Sequence, residues 1–498
     1  MAGIMEFLTI TNIAYNFAGV FVGIVFGIIP GLTATLGVAL FLPFTFGMEA
    51  VSAFAFLLGL YVGGYYGGVV PAILIKTPGS PGNAPSVLDG YPMCQKGQAL
   101  EALSMSTVVA FIGGILSCVA LIFIAPTLAQ FALMFGPAEY FSMGVFGISI
   151  VSILSTGNLL KGVIAACIGL AIASIGMDPI TGTLRFTFGI PRLLGGFNLI
   201  AVLIGLFALS EVFDKLSTSR VKVGLTENID NITGNYAKFK VYKDNFGNIM
   251  RSSIIGIIVG IMPATGPAVA SWLSYNECKR ASKHKHLFGT GLPESVIASA
   301  TAANAVPGGA LVPTLTLGIP GDSVTAVMMG ALMLQGLVPG PTLFVEHGDI
   351  MRGIFVMMVL ANIFLLLQGL LGVKIFVQAL KIPMNFLFPT VILMCFIGAY
   401  SINSNIADAH MAIAMGVIGI ILSKAKYPLP PIMLGIILGP IIERNFRRAL
   451  ALSHGDMGIF ITSPISLGFL ILALFTVLQP FILDYISTYR KNKASKSN

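Results

Sequence analysis

Apolar residues run through this chain in long blocks, without the alternation of a β-barrel strand and without the one-sided stripe of a surface helix. Blocks at 107–125, 196–209, 354–373 and 465–483 each approach the ~20 residues a helix needs to cross a bilayer. The pattern predicts spans at 51–75, 101–125, 138–156, 162–177 and 195–210, then at 294–318, 352–373, 384–401, 408–423, 428–442 and 460–485. Ahead of each set lies an apolar segment bent by proline and glycine, at Pro30-Gly31 and at Pro263 to Gly266, which predicts a re-entrant hairpin. Helix-breaking residues also interrupt two of the spans, in "GGVVPAILIKTPGS" (67–80) and "GGALVPTLTLGIPGD" (308–322).

These breaks recur in order. "GIIPGLTATLGVALFL" (27–42) matches "GIMPATGPAVASWLSY" (260–275), and the doubled glycine, proline and Pro-Gly of 67–79 return at 308–321. Two homologous repeats follow, 1–160 and 251–425, joined by a linking span and a basic loop (161–250) and followed by spans and a basic tail (426–498). Charge sets their orientation. Residues 211–251 carry seven Lys and Arg and "ECKRASKHKH" four more, which places both flanks of the second hairpin in the cytoplasm. The flanks of the first contain Glu6 and Glu49 but no Lys or Arg, so that hairpin opens outward and the repeats are inverted. The prediction is an all-α polytopic membrane protein, each repeat holding a re-entrant hairpin and interrupted helices. "ERNFRR" (443–448) disagrees with this count by falling outside.

Composition agrees with a membrane protein. Hydrophobic residues make up 56% of the 498, charged residues 10%, against about a quarter charged in soluble domains. The net charge of +8 lies in loops and tail, so it marks topology and not a nucleic-acid partner. "MAGIMEFLTI" lacks the basic start of a cleaved signal peptide. Five scattered cysteines imply neither disulfide framework nor zinc site, and "KHKH" (283–286) reads as a solvated charge run. No nucleophile elbow, P-loop or metalloprotease motif is present, so an enzyme is not expected.

Irregular backbone survives in a membrane where it is buried or lines a polar cavity, and paired interruptions point to a transporter's binding site. Helix N-termini there present N–H groups to anions. The candidate substrate-binding residues are Pro30, Gly31, Thr33, Thr35, Lys76, Pro78, Gly79, Ser80, Asn83, Pro263, Thr265, Gly266, Asn304, Pro320, Gly321, Ser323 and Thr325. Asp322, Asn83 and Asn304 are the candidates for coupling to Na⁺ or H⁺, and no other cofactor is implied. Lys76 is expected to face a substrate carboxylate. Gly59, Gly63 and Gly67, four apart, read as helix-packing glycines.

At these motifs, and over nearly its whole length, the chain resembles the TctA family, the large membrane subunit of tripartite tricarboxylate transporters. The resemblance rests on "GIIPGLTATLGVALFLPFTFG", "KTPGSPGNAPSVLDGYPMCQKGQALEAL", "GIMPATGPAVASWLSYNECKRASKH" and "GGALVPTLTLGIPGDSVTAVMMGALMLQGLVPGP". It implies an importer of small organic carboxylates in a bacterial or archaeal cytoplasmic (inner) membrane. A small TctB-like membrane subunit and a TctC-like extracytoplasmic solute-binding protein are the implied partners. The chain departs from the family at "SATAANA" (299–305), where Pro-Glu-Ala-Ala-Asn-Asn is usual. Asp322 is the candidate to carry the charge lost there. The rival readings are a stand-alone ion-coupled anion transporter and an integral-membrane enzyme.

Overall fold

The computed structural model describes residues 5–154, 159–178, 180–218, 234–263, 265–382 and 384–478. The basic tail and part of the basic loop, 219–233, lie outside the described residues. Regular structure among the described residues is helical but for one two-stranded sheet, and seven helices are long and apolar enough to cross a membrane. The chain divides into two compact units, Met1–Leu133 with Ile200–Ile420, and Met134–Leu199 with Ile421–Asn498.

The first unit opens with α1 (Ile10–Ile28), which starts where the Thr9 side chain accepts the Asn12 N–H at 3.1 Å. After the break come α2 (Ala34–Phe41), α3 (Ala50–Ile75), α4 (Ala84–Gln95) and α5 (Ala99–Ala132). The second unit takes α6 (Pro137–Leu154), α7 (Leu159–Ala173) and the hairpin β1 (Gly176–Met177) and β2 (Leu184–Arg185), paired antiparallel. Returning to the first unit, Leu199–Leu203 runs through a π-helical stretch, Ile204–Leu209, into Ser210–Thr218. Then follow α8 (Phe246–Ile261), α9 (Gly266–Ala281), α10 (Pro293–Leu317), α11 (Ser323–Leu334), α12 (Gly348–Leu371), α13 (Met384–Asn403) and α14 (Ile406–Lys424). The second unit closes with α15 (Leu429–Leu452) and α16 (Pro464–Leu478).

Glycine lets α1 and α3 touch backbone to backbone. A Cβ at Gly19, Gly23 or Gly27 would overlap the carbonyl oxygen of Phe56, Leu60 or Gly64. From the other side Gly59, Gly63 and Gly67 meet the carbonyls of Asn16, Val20 and Ile24, which is the packing role expected of them. The pair α8 and α10 repeats the arrangement, with Gly256 and Gly260 against the carbonyls of Ala302 and Val306. The hairpin helices thus clamp α3 and α10, whose most apolar 18-residue stretches are 94% and 100% buried. Helices so enclosed meet protein on every side, which is what allows them to break without exposing backbone to lipid.

The breaks in α3 and α10 share one geometry. Five residues beyond Pro71, Lys76 takes φ +59° and its N–H bonds the Pro71 carbonyl; five beyond Pro313, Gly318 takes φ +68° and bonds Pro313. The next N–H groups, of Thr77 and Ile319, return to the same two carbonyls at 3.2 and 3.3 Å. Gly79 then lies against the Gly27 carbonyl at the end of α1, and Gly321 against the Gly260 carbonyl near the end of α8.

Two segments differ from their expected form. The apolar span predicted to end at 210 continues as helix through Thr218, so Glu211 and Lys215 are helical and not the start of a loop. The span predicted to end at 442 runs on to Leu452, carrying "ERNFRR" as helix. There Arg447 and Arg185 both reach Asp178, at 2.8 and 2.5 Å, and Arg185 also pairs with Glu443 at 2.8 Å. Charges that looked like loop residues are the fastening between α15 and the β-hairpin. Beside them Phe141, Leu170, Ser174, Ile442, Glu443 and Phe446 line much of a cavity of about 380 Å³.

Candidate functional site

All four interruptions belong to the first unit, and they meet in two crossed pairs. The break of the first hairpin meets the break that follows α10: the hydroxyls of Thr35 on α2 and Ser323 on α11 lie 2.8 Å apart. The break that follows α3 meets the second hairpin, where Gly82, just before α4, packs on Pro267 of α9. Each crossing therefore joins one of the first two breaks along the chain to one of the last two.

At the α2–α11 crossing both N-termini are capped. Thr33 accepts the Leu36 N–H at 3.1 Å and donates its hydroxyl to Glu211 at 2.9 Å. Asp322 forms a capping box with Thr325: one carboxylate oxygen accepts the Thr325 N–H at 2.7 Å, while the Asp322 N–H reaches the Thr325 hydroxyl at 2.9 Å. The other carboxylate oxygen accepts the hydroxyls of Tyr61 and Tyr65 from α3, at 2.6 and 2.5 Å. Asp322 is 5% exposed, so this buried carboxyl group is held by neutral donors and a helix N-terminus. Gly31, at φ +96°, turns the chain beside the aliphatic stem of Lys215.

The α4–α9 crossing has no such caps. Neither α4 nor α9 has a side-chain hydrogen bond at its N-terminus. Thr265 turns its hydroxyl back to the last carbonyls of α8, those of Val259 and Met262, and Gly266 takes φ +62°. The Asn83 amide donates to the Tyr65 carbonyl at 3.1 Å and to Ser80 at 3.0 Å, and its buried Oδ1 has no partner. Asn304, in α10, donates to the Ala300 carbonyl at 2.9 Å, and its Oδ1 is likewise buried and unpaired. Ser86 of α4 and Ser299 of α10 join at 2.9 Å.

The remaining candidates shape backbone. Pro78 and Pro320 precede Gly79 and Gly321, whose N–H groups bond the Gly68 carbonyl at 3.0 Å and the Thr314 hydroxyl at 3.3 Å. Pro30 and Pro263 follow the last turns of α1 and α8. Lys76 is exposed, its ammonium 5.7 Å over the Tyr91 ring.

The family model described as the tripartite tricarboxylate transporter TctA family matches residues 13–434. The chain belongs to the TctA family. An uncharacterized 52.8 kDa protein in the TAR-I ttuC' 3' region of Agrobacterium vitis is 36% identical over 472 residues, covering 95% of this chain and 93% of that protein. A second uncharacterized protein, in the TAR-II ttuC' 3' region of the same organism, is 37% identical over 223 residues, covering 45% of this chain and 92% of that protein. No solved structure matches. This TctA protein is thus a multi-pass, predominantly helical membrane protein of a transporter family.

Sequence reasoning missed five residues at or near the TctA crossings. Tyr61 and Tyr65 sat within the packing run "YVGGYYGG", where only their four-residue spacing on one helix face hinted at a shared partner. Glu211 was assigned to a loop. Asp89, fully buried on α4, accepts three backbone N–H groups from Gly289, Gly291 and Leu292, each at 2.9 Å, and the Ser295 hydroxyl at 2.5 Å. It ties α4 to the turn that begins α10. Gln335, at the end of α11, reaches the Thr45 carbonyl ahead of α3 at 3.1 Å.

Proposed function

We propose that this chain is the large membrane subunit of a binding-protein-dependent secondary transporter that imports small di- or tricarboxylates by ion-coupled alternating access. The observation that carries the reading is the meeting of four helix breaks in two crossed pairs, each pair including the break of a buried helix, α3 or α10. Helix N-termini recognise carboxylates without a buried cation, and unpaired amide oxygens such as those of Asn83 and Asn304 suit a coupling ion or a donor on the cargo. The two repeats are inverted across the membrane, so that their hairpins open to opposite sides and rocking around the crossings alternates access. A TctB-like subunit and a TctC-like binding protein complete the system in the cytoplasmic membrane, the latter delivering cargo from outside.

Reconstitution with these partners tests the reading. Labelled carboxylate uptake is expected to require the binding protein and an imposed Na⁺ or pH gradient. It is expected to fall in Asp322→Asn and in Asn83→Ala. Uptake that needs neither gradient nor binding protein contradicts it, and wild-type uptake in both variants removes the crossings as the site.

A further inference from the structure

The two crossings are built from similar breaks and differ in their acidic residues. The α2–α11 crossing already holds two carboxylates of its own, Glu211 on Thr33 and Asp322 on the first turn of α11. An incoming anion there meets N–H groups that are taken and carboxyl groups already in place. The named residues of the α4–α9 crossing, Ser80, Gly82, Asn83, Thr265, Gly266 and Pro267, are all neutral, and both helices start without a side-chain cap. Asp322 borders it, its Cβ 3.8 Å from where a Gly266 Cβ would stand, but its carboxylate oxygens are already engaged by Tyr61, Tyr65 and Thr325.

The second observation is Asn83 itself. Its side chain is 1% exposed and its Oδ1 has no partner. The amide is oriented by the Tyr65 carbonyl, which only accepts: turning the amide over would set two oxygens against each other. A buried acceptor left without a donor is unfavourable, so the cargo is expected to bring one. A plain carboxylate cannot, because it only accepts.

Resting on the transporter reading above, we propose that the α4–α9 crossing is the anion site, and that its cargo is a carboxylate with a hydroxyl on a neighbouring carbon. The carboxylate lies on the first turns of α4 and α9 and the hydroxyl donates to Asn83 Oδ1. The α2–α11 crossing, filled by the chain's own acids, joins the repeats and does not read the cargo.

The test titrates the purified membrane complex with matched acids, following thermal stabilisation to obtain apparent Kd. Malate is compared with succinate, and citrate with its deoxy analogue propane-1,2,3-tricarboxylate, each in NaCl and in choline chloride. Wild type is expected to bind the hydroxylated member roughly tenfold tighter or more, since a site built to hydrogen-bond a hydroxyl rejects the analogue lacking it. Asn83→Ala is expected to bring that ratio close to one, and Ser323→Ala at the other crossing to keep it. Should Asn83→Ala fail to insert, Asn83→Ser is measured in its place and is expected to lower the ratio. Equal binding of both members by wild type overturns the proposal, as does a preference that survives in Asn83→Ala or vanishes in Ser323→Ala. An equal loss for both acids in Asn83→Ala, seen only in NaCl, assigns the oxygen to a cation and also overturns it. These failures leave carboxylate binding intact, whereas absence of both binding and uptake in wild type removes the transporter reading itself.

Discussion

Two buried carboxylates in this protein are stabilised in opposite ways. Asp322, in the first unit, is held by two tyrosine hydroxyls and the first turn of α11. Asp178, in the second, is held by the hydroxyl of Thr181 at 2.6 Å, the N–H of Ile180 at 2.9 Å, and two guanidinium groups. The first arrangement keeps a local negative charge among neutral donors; the second neutralises it with arginine. The difference separates a centre satisfied by neutral hydrogen-bond donors from a fastening closed by ion pairs.

The largest effect is expected from removing the Asp322 carboxylate. Asp322→Leu leaves two buried tyrosine hydroxyls and the Thr325 N–H without an acceptor, at about 1–3 kcal/mol for each group. A loss of at least ~3 kcal/mol should appear as a lower unfolding temperature of the solubilised protein. Asp322→Asn retains an acceptor and should lose about half as much or less. Equal stability of wild type and Asp322→Leu breaks the claim that the carboxylate ties α3 to α11.

Next in size is the glycine contact shared by the α1–α3 and α8–α10 pairs. Gly23→Val and Gly256→Val each drive a side chain into a backbone carbonyl, that of Leu60 or Ala302. Overpacking of this kind costs about 1–3 kcal/mol. Similar losses in the two variants sharpen the equivalence of the pairs; a loss in one alone shows that the recurrence is geometric and not energetic.

The pH dependence of the Asp178 cluster tests the other side of the comparison. Its hydrogen bonds to Thr181 and Ile180, aided by both arginines, hold the Asp178 carboxyl well below the ordinary range. A depressed folded-state pKa means a contribution present in full above the unfolded value of about 3.9 and lost as pH falls through it toward the folded value. The gap in unfolding temperature between wild type and Asp178→Asn should therefore hold from neutral pH to about pH 5 and narrow below that. A gap that is constant down to pH 3 contradicts the ion pairing.

The smallest effect is expected at Lys76. Its φ of +59° is costly for a residue with a Cβ, and the matching position five residues beyond Pro313 at the break after α10 is Gly318. Lys76→Gly should be neutral or stabilising by up to about 1 kcal/mol. A marked fall in carboxylate affinity in that variant would instead give the exposed ammonium a role in capture.

The helical membrane fold was legible because hydrocarbon permits few alternatives: blocks of about 20 apolar residues become spans, and duplicated Pro-Gly pairs become breaks. The candidates Thr35, Ser323, Asp322 and Asn83 were legible as polar residues beside those breaks. Their pairing was not, since Thr35 and Ser323 are distant in sequence and nothing local tells which break faces which. Tyr61 and Tyr65 were hidden because a tyrosine in an apolar helix looks like packing until its hydroxyl finds a carboxylate. Glu211 and "ERNFRR" were misplaced for one reason: charge was taken to end a helix, whereas both helices continue and spend the charge on partners.

The most direct measurement is an experimental structure of the complex with saturating citrate. The account predicts density for a carboxylate at the first turns of α4 and α9, with its hydroxyl within hydrogen-bond distance of Asn83. Density seated on Ser323 and Thr33, with the α4–α9 crossing empty, contradicts it.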